Sequence, residues 1–514
     1  MSMPLSGSKH YGIKAFRKSF IHFVLGKGFA AGSTFVVLLL IIRALSIAEF
    51  AVYTSLHALT RIMGLVSSFG VNSVLHRFVP ELRTHSNNKP MYQLLMYSIA
   101  LRAVLYLVLI AVLLPFIEVI ANAFKLQDWL WIVPWYFAVG FFRANATFVV
   151  MALENLLWQK EAQYSAAIGG LIKLVLVVFA MSIDQLSLAN FVIIEGISEA
   201  ATLVILLCWL IVRRRNDHEK HLGDSSVLMT NRNRYLRFGA WSYMQNLTSI
   251  SYGSPANRLF VSYFMPTELI ALFGVIDRLI EYIRKFAPIR LFVGLIRPKF
   301  MSRYSIDNDF SHIVSMGNFL FRLNLLVLVP LFILFSVAGE TLFNWISSGK
   351  YTNASLLFLG FYTVIVISSI NVVLDLLVKA VEHTRIFTIS NLTLSASIFL
   401  AIPLIPHLGL WSIAIANIAG LVLSVIIITV YMRRYDYIFT FDWRLSFLIL
   451  AITILSIAAG FALKALGLIE IIAAIAACTL FLAIILVKLP LKHDEKVLIQ
   501  QILPSKLKFL IRMN

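Results

Sequence analysis

Charge and cysteine are what this sequence has least of. Only 13% of its 514 residues are charged, about half the share usual in a soluble domain. The two cysteines, Cys208 and Cys478, each lie in an apolar run without metal-ligand spacing. That excludes a zinc site and a disulfide framework and leaves two core thiols. No Gly-rich loop of the kind that cradles a nucleotide phosphate occurs, so direct ATP drive by this chain is not expected. No small-residue cleavage site follows the first apolar run, Phe20 to Ile42, and the run is longer than a signal-peptide core, so it reads as a retained span. Long polar stretches are missing too. The longest, Arg213 to Arg237, carries RRRNDHEKHLGD and then NRNR.

What remains is overwhelmingly apolar. Hydrophobic residues make up 60% of the chain and the mean hydropathy is +0.86, a composition that in water would expose far larger apolar patches than a monomer tolerates. In a bilayer it is ordinary, since each crossing needs about 20 apolar residues. Spans are predicted at 20–42, 48–70, 92–120, 129–152, 162–181, 188–212, 238–262, 268–296, 316–337, 354–378, 386–405, 410–432, 445–464 and 468–488. The expected class is an all-α polytopic membrane protein of about fourteen transmembrane helices.

The formal net charge of +19 invites a nucleic-acid reading, which needs basic residues gathered on one solvated face. They are instead sorted by loop. Lys9, Lys14, Arg17 and Lys18 precede the first span, Arg213, Arg214 and Arg215 follow the sixth, and the tail from Lys488 to Arg512 follows the last. The alternate breaks hold only Arg43, Lys125, Lys350 and Lys464. This is the positive-inside pattern with both termini cytoplasmic, and no nucleic-acid partner is expected.

The polar stretch divides the chain into an N-lobe, 1–212, a cytoplasmic linker, 213–237, and a C-lobe, 238–432, with 433–514 holding the last two helices and a basic tail. The lobes carry similar punctuation. SIAEF (Ser46–Phe50) follows span one and MPTEL (Met265–Leu269) follows span seven. RFVP (Arg77–Pro80) ends span two and LIRP (Leu295–Pro298) ends span eight. ALEN (Ala152–Asn155) and AVEH (Ala380–His383) recur later in each lobe. Paired repeats around a central site are a common transporter plan.

Basic residues within the predicted spans are Lys27, Arg61, Arg102, Arg143, Lys173, Arg258, Arg278, Arg284, Lys285, Arg290 and Arg322, against the acids Glu118, Glu195, Glu199, Asp277, Glu281 and Asp375. A charge at the bilayer centre costs about 2.5–3.5 kcal/mol on insertion scales. Such a residue persists where it snorkels, finds a partner or lines a wet cavity. Lys27, Arg102, Arg290, Arg322 and Asp375 lie near inner span ends, where snorkelling accounts for them. Arg61 and Lys173 fall near mid-span, where it does not. Glu195 and Glu199 lie one turn apart and would pair with a neighbouring helix, and Glu281 lies within helical reach of Arg278, Arg284 and Lys285. The excess of bases suits an anionic ligand, phosphate above all. A lone His57 shares a face with Arg61 and is a weak signal. Gly28 and Gly32 in GKGFAAGS read as a close-packing motif. Gly253 and Pro255 in SYGSPANR are hinge candidates. Asp307–Asn308–Asp309 imitates a glycosyltransferase acid pair but reads as a solvated helix start, so no catalytic residue and no enzyme is expected.

The Gly-rich first span, RALSIAEFAVY (Arg43–Tyr53), SSFGVNSVLHRFVPEL (Ser67–Leu82) and LIPHLGLWSIAIANIAG (Leu404–Gly420) together resemble the polysaccharide transporter branch (O-antigen flippases) of the multidrug/oligosaccharidyl-lipid/polysaccharide (MOP) exporter superfamily, along the whole chain. The resemblance implies two pseudo-symmetric six-helix lobes around a central cavity, two further C-terminal helices, alternating access, and flipping of undecaprenyl-diphosphate-linked oligosaccharide across a bacterial inner membrane. The related lipid II flippases have an acid after the first helix, an Arg in the second and Arg-x-x-Glu in the eighth. Those positions here are Glu49, Arg61, and Arg278 with Glu281, while Lys27 stands where the family has a first-helix Arg.

On that basis Arg61, Arg143, Lys173, Arg258 and Arg278 are expected to hold the diphosphate, and Glu49, Asp277 and Glu281 to gate or couple. No cofactor or metal is expected. A proton or sodium ion is the candidate driving ion, and a polysaccharide polymerase and chain-length machinery are candidate partners. The competing expectations are a MATE-like drug or cation antiporter and a membrane glycan polymerase or glycosyltransferase.

The topology is directly checkable. Alkaline phosphatase fused after Lys350 should be active and fused after Arg215 inactive, and the reverse result would invert the assignment.

Overall fold

The computed structural model describes residues 13–84, 88–217, 221–250, 253–290, 309–351, 353–381 and 383–488. The LIRP motif, Asp307, Asn308, Lys9 and the tail beyond Lys488 lie outside them. Among the described residues the chain is helical, with no strand. Ten of the described helices are long and apolar enough to cross a membrane, eleven if one bent pair counts as a single span. This is a multi-pass membrane protein.

The first compact unit is Met1–Val275. Its helices are α1 (Ile13–Ala44), α2 (Ile47–Val66), α3 (Val71–Thr84), α4 (Asn88–Leu113), α5 (Ile117–Ala123), α6 (Ile132–Asn155), α7 (Gln159–Ser182), α8 (Leu188–Asn216), α9 (Ser226–Thr230), α10 (Arg232–Ile250) and α11 (Ser254–Phe264). Next, α12 (Thr267–Phe286) contains the boundary. The second unit, Ile276–Asn514, continues with α13 (Phe310–Ser347), α14 (Ala354–Ala380), α15 (Thr384–Ser397), α16 (Ala401–Leu408), α17 (Trp411–Arg433), α18 (Trp443–Ala465) and α19 (Glu470–Lys488).

Sequence punctuation sets the helix ends. Ser46 and Glu49 close a reciprocal capping box at the start of α2, satisfying two backbone N–H groups that the helix itself leaves open. MPTEL occupies the corresponding place at the start of α12. Asp309 accepts from the Ser311 N–H at 2.9 Å and so caps α13, with its carboxyl held below the usual range by the Ser311 hydroxyl and amide. At the other end of α8, Arg213, Arg214 and Arg215 sit in the last turn, where cations complement the helix dipole.

In the first unit α1 packs along α7, α6 and α7 on α8, and α2 on both α6 and α11. In the second, α13 packs on α14 and α19, α17 on α14 and α15, and α18 on α19. The window of highest hydropathy, within Asn88–Ala123, is only 6% buried, as expected for a helix solvated by lipid.

Several expectations change in the structure. The predicted break at 338–353 is mostly helix, because α13 runs on past a kink at Ala338 to Ser347, with its own Phe343 and Ile346 buried. The predicted span 238–262 is two helices, α10 and α11, with Gly253 extended (φ −178°) as the cap of α11 and Pro255 in its first turn. Ser251 and Tyr252 lie outside the described residues. Gly28 and Gly32 do not mediate close packing, since nothing lies within 4 Å of a Cβ placed on either. That role falls to Gly26, whose added Cβ would meet Gln163 at 2.6 Å.

Arg102 does not snorkel. It is 5% exposed and serves the 52° bend between α2 and α3. Its Nη2 donates to the Gly64 carbonyl at 3.1 Å and its Nη1 to Asn72 Oδ1 at 3.0 Å, with the guanidinium 4.9 Å from the Phe148 ring centroid. Tyr243 Oη donates to the Val66 carbonyl at 2.9 Å. A helix end leaves its last carbonyls without intrahelical partners, and hydrocarbon supplies none, so these side chains stand in. Gly70 turns the corner with φ +75°, and a Cβ there would lie 2.0 Å from the Gly239 carbonyl oxygen.

Arg102→Met should therefore destabilise the detergent-solubilised protein by about 1–3 kcal/mol, the cost of orphaning a buried acceptor. Gly70→Ala should lower the thermal midpoint as well. A midpoint unchanged in both variants would show that the bend needs neither residue.

Candidate functional site

Glu195 and Glu199 are four residues apart on α8 and therefore share one face. Arg143 comes to them from α6 and Lys173 from α7. Arg143 Nη2 lies 2.9 Å from Glu195 Oε2 and its Nε 3.5 Å from Glu199 Oε1. Lys173 Nζ lies 3.2 Å from Glu195 Oε1 and 3.0 Å from Glu199 Oε1. Tyr136 Oη donates to Glu195 Oε2 at 2.8 Å. Glu195 is 4% exposed and Lys173 9%. Two cations and two carboxylates cancel formally, and each carboxylate touches both cations. Desolvation of four charges is tolerable only with this density of contacts, and removal of one member leaves the rest uncompensated.

A second polar centre joins α2 to α11. Arg258, 1% exposed, places Nη1 3.3 Å from His57 Nδ1. A guanidinium only donates, so His57 Nδ1 is the acceptor and the ring proton belongs on Nε2. Two residues before His57 and one turn after Arg258, Ser55 and Ser262 share a 2.7 Å hydrogen bond. Tyr53 lies between the two centres, its ring centroid 5.9 Å from that of His57 and 6.4 Å from that of Tyr136. Arg61 follows His57 by one turn of α2 and is exposed.

The other expected site residues lie elsewhere. Glu49 is taken up at the start of α2, where it closes the Ser46 box and accepts from the Leu188 N–H at 2.9 Å. Gly253 and Pro255 stand one turn before Arg258, at the restart of the helix. Asp277, Arg278 and Glu281 belong to the second unit. Arg278 approaches Glu281 at 3.9 Å, and Asp277 is buried. The structure thus brings Arg143 and Lys173 together on Glu195 and Glu199, and Arg258 onto His57. Sequence reasoning passed over Tyr136 and undervalued His57, because their partners lie 59 and 201 residues away. The four-residue spacing of Glu195 and Glu199 was the usable signal.

With this geometry established, comparison with solved structures is informative. The lipid II flippase MurJ in an inward closed conformation matches with a TM-score of 0.64 at 13% identity, over 91% of this chain and 99% of that one. An inward-facing multidrug-resistance MATE family transporter of the MOP superfamily matches at 0.62 and 11% identity, over 80% and 94%. The chain has the fold of these two proteins. A further match is the MATE multidrug transporter DinF-BH, at 0.56 and 15% identity, over 85% and 99%. At such identities the likeness is one of fold alone. No family profile matches the sequence, and no curated relative is found from it.

The quartet predicts strong coupling. Lys173→Met should cost about 3–5 kcal/mol of unfolding free energy, and Lys173→Met/Glu199→Gln should recover part of it. Costs that simply add in a denaturation cycle would mean that the two side chains are not partners.

Proposed function

We propose that this chain is a flippase that carries an undecaprenyl-diphosphate-linked oligosaccharide, an O-antigen, capsule or exopolysaccharide unit, across the bacterial inner membrane by alternating access. The observation that carries this reading is Arg258: a guanidinium almost wholly withdrawn from solvent, held on a neutral imidazole, one turn after an extended break in its helix, within the MOP fold. A desolvated guanidinium presents a planar fork of donors that fits phosphate oxygens, and in low dielectric its attraction for an anion is weakly screened.

The cations take different parts according to their place in the fold. Arg258 and Arg61 in the first unit meet the diphosphate, and Arg278 in the second is tested as a separate contributor. Arg143 and Lys173 are engaged by two carboxylates in this conformation, so they bind the substrate only if Glu195 and Glu199 release them during the cycle. Asp277 and Glu281 are assigned to gating or to a coupling proton or sodium ion, Glu49 to anchoring the α2 start, and Gly253 with Pro255 to the hinge.

The MATE-type matches keep a cation or drug antiporter as the second reading. It would use Glu195 and Glu199 as its anionic site. Each of those carboxylates already has two cations within 3.5 Å, which favours the flippase.

Arg258→Ala and Arg61→Ala are each expected to lower surface glycan about ten- to hundred-fold at normal protein level in a strain dependent on this gene, the loss of one charge-assisted contact. Glycan at the wild-type amount in both variants, or protection of expressing cells from cationic dyes, would transfer the assignment to the antiporter.

A further inference from the structure

A groove in the first unit lies apart from both charge centres. It is formed where the first turns of α4 meet the last turns of α8, and it has a volume of about 460 Å³. Lys89, Gln93 and Met96 line it from α4, and Leu210, Ile211, Arg214 and Arg215 from α8. On α4 the spacing is four and three residues, and on α8 the adjacent pair Leu210–Ile211 recurs four residues on as Arg214–Arg215, so each set occupies one face. Leu222 closes one side, where its carbonyl accepts from the Lys89 N–H at 2.8 Å.

The groove is graded in polarity. Lys89, Arg214 and Arg215 stand exposed at its mouth, while Met96, Leu210 and Ile211 line the wall leading toward the middle of the span. Beyond it, Leu101, Val104 and Val108 of α4 are exposed to the surroundings. The three consecutive arginines are not equivalent. Arg213 is directed to Glu161 on α7, whereas Arg214 and Arg215 line the groove. A topology signal requires only that bases lie in the loop. It does not require two of three to line a cavity with an apolar wall. Two carboxylates lie close by. Asp217 accepts from Tyr92 Oη at 2.8 Å, and Asp224, near Lys89, is kept charged by the Ser226 hydroxyl and amide. Neither lines the groove, whose own formal charge is positive.

We propose that this groove binds an anionic phospholipid of the cytoplasmic leaflet, with the headgroup phosphate on Lys89, Arg214 and Arg215 and one acyl chain along Met96, Leu210 and Ile211. Basic pockets between helix ends on the cytoplasmic side suit such headgroups. Free phosphate would use the bases but not the wall, and a zwitterionic lipid would use the wall but lose most of the electrostatic gain. The site is independent of the flippase reading, since it involves none of the residues assigned to the substrate.

The test uses the full chain purified in dodecyl maltoside, with bound phosphatidylglycerol titrated by native mass spectrometry. Phosphatidylglycerol should bind wild type well above phosphatidylcholine, and inorganic phosphate should not displace it. Arg214→Gln/Arg215→Gln should weaken binding about thirty-fold, and Lys89→Gln about five-fold, following the contribution of each base near an anionic headgroup. Arg433→Gln/Arg434→Gln removes the same charge from the second unit and should leave binding unchanged. The proposal is overturned if the two double variants lose affinity equally, if the groove variants bind as wild type, if phosphatidylcholine binds as well, or if millimolar phosphate displaces the lipid. Lys89 is exposed, so its single variant decides the matter if the arginine double variant does not fold.

Discussion

Hydrocarbon offers no hydrogen bond and almost no screening, so each charge carried into the bilayer must be met by another part of the same chain. That constraint organises the first unit. Glu195 and Glu199 can reside on α8 only because Arg143 and Lys173 arrive from two other helices, and this fixes how α6, α7 and α8 rotate against one another. The same rule acts on the backbone. Bending the chain between α2 and α3 uncovers carbonyls at Gly64 and Val66, and Arg102 and Tyr243 cover them. Buried polar groups here specify geometry more than they add stability, since an apolar replacement of a whole buried ion cluster is often no less stable.

The two polar centres are built differently. The quartet is internally matched, with four contacts at 3.5 Å or less. The Arg258–His57 contact pairs a guanidinium donor with an imidazole nitrogen acceptor. Tyr53 packs between His57 and Tyr136, so an aromatic contact links the two centres. The restart of the helix at Ser254 stands one turn before the charge that we assign to the substrate.

Much of the fold was legible. Every predicted span falls at least partly on helix, because about 20 apolar residues in a row permit little else in lipid. The SYGSP segment announced an interruption through its Gly and Pro, whereas SIAEF reads in the sequence only as punctuation shared by the two lobes and Glu49 as a gating residue, and the capping box they form came from the structure. Errors arose where composition and packing diverge. The stretch after Ala338 looked polar enough for a loop, yet its Phe343 and Ile346 are buried and the helix continues. Gly28 and Gly32 formed a packing motif on paper but face open space.

The sequence by itself determined the solvent of this protein, the position of its apolar helices, the sorting of bases between loops, and the fact that some charges had to be buried. These follow from local composition and helical period. Which charge meets which was decided only by tertiary structure. Arg143 and Lys173 looked like the lining of a cationic chamber and proved to be partnered, whereas His57, read as a weak signal, proved to be the acceptor for Arg258. Pairing across helices depends on the rotation and depth of segments up to 201 residues apart, and no local spacing encodes either.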